Sequence, residues 1–130
     1  LEVDPENKEA LLNMMGLLKD RYPAVALRRL MELREKHPDN PAIVAQIGLV
    51  SAQLGEYETA QRHLSIASSL EPNNPTHLYN MAIIADRQRD TERAIKMYEK
   101  TLEVDAVYSG KYGSIPRDKI YDRLSRLRRR

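Results

Sequence analysis

The sequence contains no cysteine and no long hydrophobic run. Without cysteine the chain cannot form disulfides or thiolate metal sites, and this absence suits a cytoplasmic and a periplasmic protein equally. Apolar stretches are interrupted every few residues, far short of the roughly 20 consecutive apolar residues that a membrane-spanning helix needs. With 130 residues, 42% of them hydrophobic and 31% charged, the chain is expected to form one soluble globular unit in either compartment.

Patterns typical of catalysis are also missing. The three histidines, His37, His63 and His77, have no spacing with carboxylates that would indicate a zinc site or a catalytic triad. The glycines form no phosphate-binding loop, and no serine has the surroundings of a nucleophile elbow. The sequence therefore predicts a protein that is not an enzyme and that carries no cofactor or metal.

Charge is distributed unevenly along the chain. Residues 114–130 contain seven Lys or Arg and two Asp, so they carry +5, and the overall net charge of +2 leaves −3 for the residues before them. A basic end is compatible with binding to nucleic acid or to an anionic surface. However, the helix dipole also favours arginine at a solvated C-terminal helix end, and the acidic body would repel a duplex. Nucleic-acid binding is therefore the less favoured alternative.

A period of thirty-four residues organises the rest of the sequence. It joins three alanines, Ala26, Ala60 and Ala94, and a large side chain follows each of them four residues later, at Leu30, Leu64 and Tyr98. Further along each copy stand Pro38 and Pro72 with Asn40 and Asn74, whereas Ala106 and Tyr108 occupy the matching places in the third copy. A fixed period of this length indicates an array of repeats, and such arrays usually serve as binding scaffolds.

Each repeat is expected to contain two antiparallel helices. Asn40 and Pro41 have the residue types of an N-cap and a first helical position, and Leu54-Gly55-Glu56 interrupts the apolar periodicity before a second helix that ends at Pro72. Asn74-Pro75 and Asp90 supply the same start signals in the next copy. Gly48 should let a neighbouring helix approach closely. The first copy is two residues shorter around Tyr22-Pro23, where Pro23 should begin a helix.

The end of the chain departs from the period. Residues 108–113 are rich in Tyr and Gly and are predicted to form a loop, and Ser114-Ile115-Pro116 should begin a last helix. Its narrow apolar stripe, Ile120, Leu124 and Leu127, is what a helix needs when it covers the exposed end of an array.

The pattern Ile47-Gly48, Gly55-x-Tyr57, Ala60, Leu64, Ala67 and Pro72 resembles the tetratricopeptide repeat. This resemblance implies an all-α fold, a right-handed superhelical array of antiparallel helix pairs whose first helices line a concave groove. It divides the single domain 1–130 into the tail of a preceding repeat (1–5), three repeats (6–40, 41–74 and 75–108) and a loop with a capping helix (109–130). Because Leu1-Glu2-Val3-Asp4 matches Leu102-Glu103-Val104-Asp105, we expect a fragment of a longer protein.

The resemblance also implies which residues line the groove. Transferred position by position, they are Asn13, Met14, Leu17, Asp20 and Arg21, then Ala45, Gln46, Leu49 and Gln53, and finally Tyr79, Asn80, Ile83, Asp86 and Arg87. Amides beside apolar side chains suit an extended segment or an amphipathic helix of a partner protein. In the alternative interpretation, the apolar members pack against neighbouring helices and the Asp-Arg pairs are solvated helix ends.

Partner identity is only partly constrained. The lysines and arginines with which some tetratricopeptide co-chaperones grip a chaperone's terminal carboxylate are replaced here by residues such as Asn13, Ala45 and Asn80. An apolar face around Leu11, Leu12 and Met15 would permit self-association. The linker and last helix are similar to C-terminal regions of bacterial envelope proteins that assist the assembly of a pilus or secretion system, which suggests a role in assembling such a complex.

Overall fold

In a computed structural model of the protein, which describes residues 21–108 and 110–129, the backbone forms six α-helices and no strand. The helices are α1 (Pro23–Lys36), α2 (Pro41–Gln53), α3 (Tyr57–Leu70), α4 (Pro75–Arg87), α5 (Thr91–Tyr108) and α6 (Arg117–Arg128). Residues 1–20, and with them Asn13, Met14, Leu17 and Asp20 and the face around Leu11, Leu12 and Met15, lie outside the described residues.

The predicted helix starts are confirmed. Pro23, Pro41 and Pro75 each occupy the first turn of a helix, where a missing N–H is tolerated. The side-chain oxygen of Asn40 accepts hydrogen bonds from the backbone N–H groups of Ala42, at 3.0 Å, and Ile43, at 3.3 Å. The equivalent Asn74 accepts one from Thr76, and Asp90 accepts one from Arg93 at the start of α5. Side-chain caps therefore begin α2, α4 and α5 where the sequence predicts, and α1 begins at Pro23 without a side-chain cap.

The two turns inside the helix pairs have the same backbone structure. After α2, Gly55 adopts a φ of 80°, and the N–H groups of Gly55 and Glu56 bind back to the carbonyls of Ala52 and Ser51. After α4, the residue with positive φ is Arg89, at 61°, and the same two hydrogen bonds form. This is the usual way to end a helix with a left-handed residue, which is normally glycine.

Helix α5 is longer than its counterparts, with 18 residues where α1 and α3 have 14 each. Proline at positions 38 and 72 follows the ends of α1 and α3, whereas Ala106 takes the matching place in α5 and leaves its backbone N–H available. The helix therefore continues through Tyr108. The prediction that a loop begins at Tyr108 is wrong by one residue for this reason.

Packing proceeds from each helix to its neighbours along the chain, with α2 also contacting α4 and α6 lying on α5. Three clusters of buried side chains result, and α2 and α4 each contribute to two of them, which makes the core continuous. The first contains Leu30 and Ile47, the second Val44, Leu64 and Met81. In the third, Ala82, Ala94 and Tyr98 meet the predicted stripe of α6, Ile120, Leu124 and Leu127, all of them buried.

Gly48 makes the close approach that its position predicts. A Cβ atom built on it would lie 2.9 Å from Cγ of Leu64 and 3.1 Å from the carbonyl oxygen of Ala60. Both atoms belong to α3. The backbones of α2 and α3 therefore pack so closely at position 48 that a side chain there would collide with α3.

Candidate functional site

The predicted groove residues of the second and third repeats occupy matching positions on α2 and α4. Gln46, Leu49 and Gln53 follow a spacing of three and seven residues, which places them on one side of α2. Asn80, Ile83 and Arg87 have the same spacing on α4, and the two helices are in contact. These six side chains are half-buried or exposed, while α2 and α4 direct other positions into the core.

The apolar residues of the predicted groove differ in how deeply they are buried and in which core cluster they contact. Ala45 is only 7% exposed and lies in the second cluster, so it belongs to the core beneath the predicted groove. Tyr79 and Ile83 pack against the third cluster, and the ring of Tyr79 lies 6.3 Å from that of Tyr98. Leu49 is half-buried and thus remains the apolar groove position of α2 that a partner could contact.

Asp86 is held by the capping helix. Its carboxylate accepts two hydrogen bonds of 2.7 Å from the guanidinium of Arg123 and one of 3.0 Å from the hydroxyl of Tyr98. Sequence reasoning missed Arg123 because α6 lies outside the repeats and 37 residues away in the chain. Burial of Tyr98, followed by its hydrogen bond to Asp86, raises the pKa of its phenol well above the ordinary value. The same carboxylate raises the pKa of the Arg123 guanidinium.

The two arginines of the predicted groove lie on the surface, unlike Asp86. Arg87 and Arg21 are both exposed. Asp86 and Arg87 are adjacent but differ in their contacts: the carboxylate of Asp86 binds Arg123 of α6, and the side chain of Arg87 is exposed at the end of α4.

His77 and His63 each form a contact that stabilises local structure. His77 is buried, and its Nε2 lies 2.7 Å from a carboxylate oxygen of Glu71, so the pair joins the end of α3 to the start of α4. His63 lies 2.9 Å, through Nδ1, from the carbonyl oxygen of Thr59 within α3. Among residues 21–108 and 110–129, no group of three His, Cys, Asp or Glu side chains could hold a metal ion. No helix in this part of the chain is long and apolar enough to cross a membrane.

Solved structures match this arrangement over almost the whole chain. The TM-score is 0.79 for PcrH in complex with the chaperone binding region of PopD, which is 14% identical and for which 98% of this chain and 95% of that chain are covered. The first tetratricopeptide domain of Spaghetti (RPAP3), bound to the HSP90 peptide SRMEEVD, gives 0.77 with 15% identity and coverage of 99% and 96%. The fold is that of a tetratricopeptide-repeat domain. The predicted array of antiparallel helix pairs is thus confirmed.

A third structure of similar fold is the type III secretion translocator chaperone SycD of Yersinia enterocolitica. It has a TM-score of 0.78 and 12% identity, with 98% of this chain and 87% of that chain covered. No protein-family model and no curated protein sequence matches the chain at a significant level. At these identities the likeness describes the fold, and the binding residues of this domain have to be argued from its own side chains.

Proposed function

We propose that this domain is a noncatalytic scaffold that binds an extended segment or a helix of a partner protein on the face formed by α2 and α4. The observation that carries the proposal is the repetition of half-buried polar and apolar side chains, Gln46 and Leu49 on α2 with Asn80 and Ile83 on α4. Amides satisfy peptide N–H and C=O groups, and the apolar positions bury partner side chains. Two neighbours of the same fold are described with a bound segment of another protein.

The proposal is tested by photocrosslinking from defined positions. A photoreactive amino acid is placed at position 49, in the groove, or at position 65, which is exposed on α3. We expect position 49 to crosslink a specific partner from native cells and position 65 not to do so. Equal crosslinking from both positions would remove the groove as the binding site.

A pair of variants that add the same negative charge inside and outside the groove provides a second test. Leu49→Glu should reduce partner capture at least about tenfold, because a buried methylene contact is replaced by a carboxylate that must be desolvated. Ser65→Glu adds the same charge on the exposed side of α3 and should leave capture unchanged. Helical circular dichroism should match the wild type for both variants. Ile83 is avoided because it also packs against the third core cluster.

A narrower proposal is that the partner belongs to a bacterial envelope complex such as a pilus or secretion system. Its support is the extent of the match to SycD, which covers 98% of this chain. The crosslinking experiment decides it, since identification of the captured protein as a secreted or envelope component is the expected result. Capture of a cytosolic protein unrelated to the envelope would contradict this narrower role and leave the scaffold proposal intact.

The alternative of nucleic-acid binding through α6 loses support from the ion pairs of that helix. Arg117 binds Asp105, Arg123 binds Asp86 and Arg128 binds Glu99, so three of the five basic residues in α6 already have carboxylate partners on other helices. Titration with nonspecific duplex DNA over a range of salt concentrations tests this. Micromolar affinity that falls steeply with salt would restore the alternative.

A further inference from the structure

The turn between α4 and α5 has an arginine at a backbone position where the equivalent turn has glycine. Arg89 and Gly55 are thirty-four residues apart, have φ values of 61° and 80°, and end their helices with the same pair of hydrogen bonds. The left-handed conformation is unfavourable for a residue with a Cβ atom. Backbone strain of this kind concentrates at binding and catalytic sites, so the surroundings of the Arg89 side chain are informative.

Arg89 lines a depression at the edge of the domain, which we call the arginine pocket. Its lining residues are Asp86, Arg87, Arg89, Thr91, Arg123 and Leu127. The volume of about 350 Å³ falls in the range of about 300–1,000 Å³ that is usual for ligand sites. Three guanidinium groups and one carboxylate leave a surplus of two positive charges in the pocket.

The guanidinium groups differ in how they are engaged. Arg123 is fixed against Asp86 through Nε and Nη2, which places one positive charge rigidly beside the pocket. The side chains of Arg87 and Arg89 are exposed and form no hydrogen bond or ion pair within the described part of the chain. Two arginine side chains are therefore available to an incoming group.

We propose that the arginine pocket binds a carboxylate side chain of an acidic segment in the partner protein. Guanidinium groups match carboxylates as planar, bidentate donors, and the hydroxyl of Thr91 adds another donor. The methylene groups of a Glu side chain would contact Leu127, which is buried at the edge of the third cluster. A bound carboxylate would reduce the surplus positive charge.

A peptide fits this pocket better than a nucleic acid does. Asp86 lies inside the pocket, and Asp90 and Glu92 are exposed in the adjoining turn and first turn of α5. These carboxylates would repel the fixed rows of phosphates on a rigid duplex, whereas a flexible acidic peptide can place one carboxylate between the Arg87 and Arg89 guanidinium groups and keep its other charges in solvent. Because Arg87 also ends the groove row on α4, this inference rests on the proposed function: a segment that leaves the groove there would place an acidic residue in the pocket.

The test uses a hexaglutamate peptide as the probe, added to ¹⁵N-labelled protein at low salt and followed by NMR. We expect saturable shifts at residues 86–91 and around Arg123, with no response to hexaglutamine. Arg89→Gln and Arg87→Gln should each weaken hexaglutamate binding about tenfold, the effect of losing one charge-assisted hydrogen bond. Arg62→Gln removes an exposed arginine from α3 and should leave affinity unchanged.

Arg89→Gly separates binding from folding. It installs the residue that the equivalent turn contains, so we expect the variant to lose hexaglutamate binding while its thermal stability stays the same or increases. Unchanged affinity in both Arg87→Gln and Arg89→Gln would overturn the proposal, as would shifts confined to Arg126 and Arg129 at the C-terminal end of α6. Tighter binding of a hexadeoxythymidine oligonucleotide than of hexaglutamate would overturn it in favour of nucleic acid.

The experiments distinguish failure of the arginine-pocket proposal from failure of the groove proposal. Leu49→Glu, which should disrupt partner capture in the groove, should leave hexaglutamate affinity unchanged. If hexaglutamate binds as expected but position 49 crosslinks no partner, the groove proposal fails and the pocket remains. If position 49 crosslinks a partner and hexaglutamate does not bind, the pocket proposal fails and the groove remains.

Discussion

Arg123 of the capping helix forms two hydrogen bonds with Asp86 of α4, from Nε to Oδ2 and from Nη2 to Oδ1, both 2.7 Å long. The hydroxyl of Tyr98 on α5 donates to the same carboxylate, so three helices meet at one side chain. Asp86 is only 16% exposed, which protects this bidentate pair from solvent more than an ordinary surface pair. The capping helix is thus held by a polar contact in addition to its apolar stripe.

Asp86→Asn should lower the free energy of unfolding by about 1–2 kcal/mol, because it removes the charge from a partly buried pair and leaves Arg123 without its counterion. Urea denaturation followed by circular dichroism measures the change. Asp122→Asn is the matched control, since Asp122 pairs with Arg126 on the surface of α6, where both are 65% exposed. We expect the control to cost at most about 0.5 kcal/mol. Equal losses in the two variants would contradict a special role for Asp86.

Tyr98 should make stability depend on alkaline pH. Burial and the hydrogen bond to Asp86 raise its pKa above the ordinary value, so the folded state favours the neutral phenol. This contribution is fully present below the unfolded pKa of about 10 and is lost as the pH rises from there toward the folded pKa. Denaturant unfolding measured at increasing pH should therefore show falling stability above about pH 10, and Tyr98→Phe should flatten part of that fall.

Tyr22→Phe is the control for this titration, because Tyr22 is 58% exposed. It should leave the alkaline loss of stability as steep as in the wild type. An identical pH dependence in Tyr98→Phe and wild type would show that Tyr98 does not contribute.

The helix starts could be predicted from local sequence signals, whereas the contacts between distant helices could not be predicted. Asn40-Pro41 and Asn74-Pro75 act within a few residues, through capping and the fixed φ of proline, and they work in any context. The predicted end of α5 was wrong by one residue, because position 106 is marked only by the absence of proline. The repeat period likewise predicts the position of Asp86 on α4. It carries no information about the contact of Asp86 with Arg123, because α6 lies outside the repeats.

The groove is predictable only as far as the repeat period applies to it. Matching positions such as Leu49 and Ile83 follow from the spacing of thirty-four residues, and both are half-buried. Their different relation to the core does not follow from the period, because α6 brings its own stripe against the third repeat and leaves the second unaffected. The groove as a binding site stays a prediction, and Asn13 and Leu17 lie outside the described residues.

Gly48→Ala should destabilise the domain by about 1–2 kcal/mol. Alanine gains about 1 kcal/mol in helix propensity over glycine, but its Cβ would approach Cγ of Leu64 to 2.9 Å and a backbone carbonyl of α3 to 3.1 Å. Relieving such overpacking usually costs about 1–3 kcal/mol, and backbone has to move here. Thermal and urea denaturation provide the measurement. Leu64→Ala alone is destabilising because Leu64 is fully buried. If the carbonyl of Ala60 sets the limit, the losses of Gly48→Ala and Leu64→Ala should add in the double variant, whereas a double variant more stable than this sum would identify Leu64 as the limiting contact.

Arg89→Gly should raise the free energy of unfolding by about 1 kcal/mol, because glycine adopts the left-handed conformation without the steric cost of a Cβ atom. The reciprocal substitution Gly55→Arg should lower it by a similar amount. The space around Gly55 is open, with nothing within 4 Å of an added Cβ, so backbone strain is the only cost. Urea unfolding of both variants measures the effects. If Arg89→Gly lowered stability, the Arg89 side chain would contribute contacts that outweigh the strain of its turn.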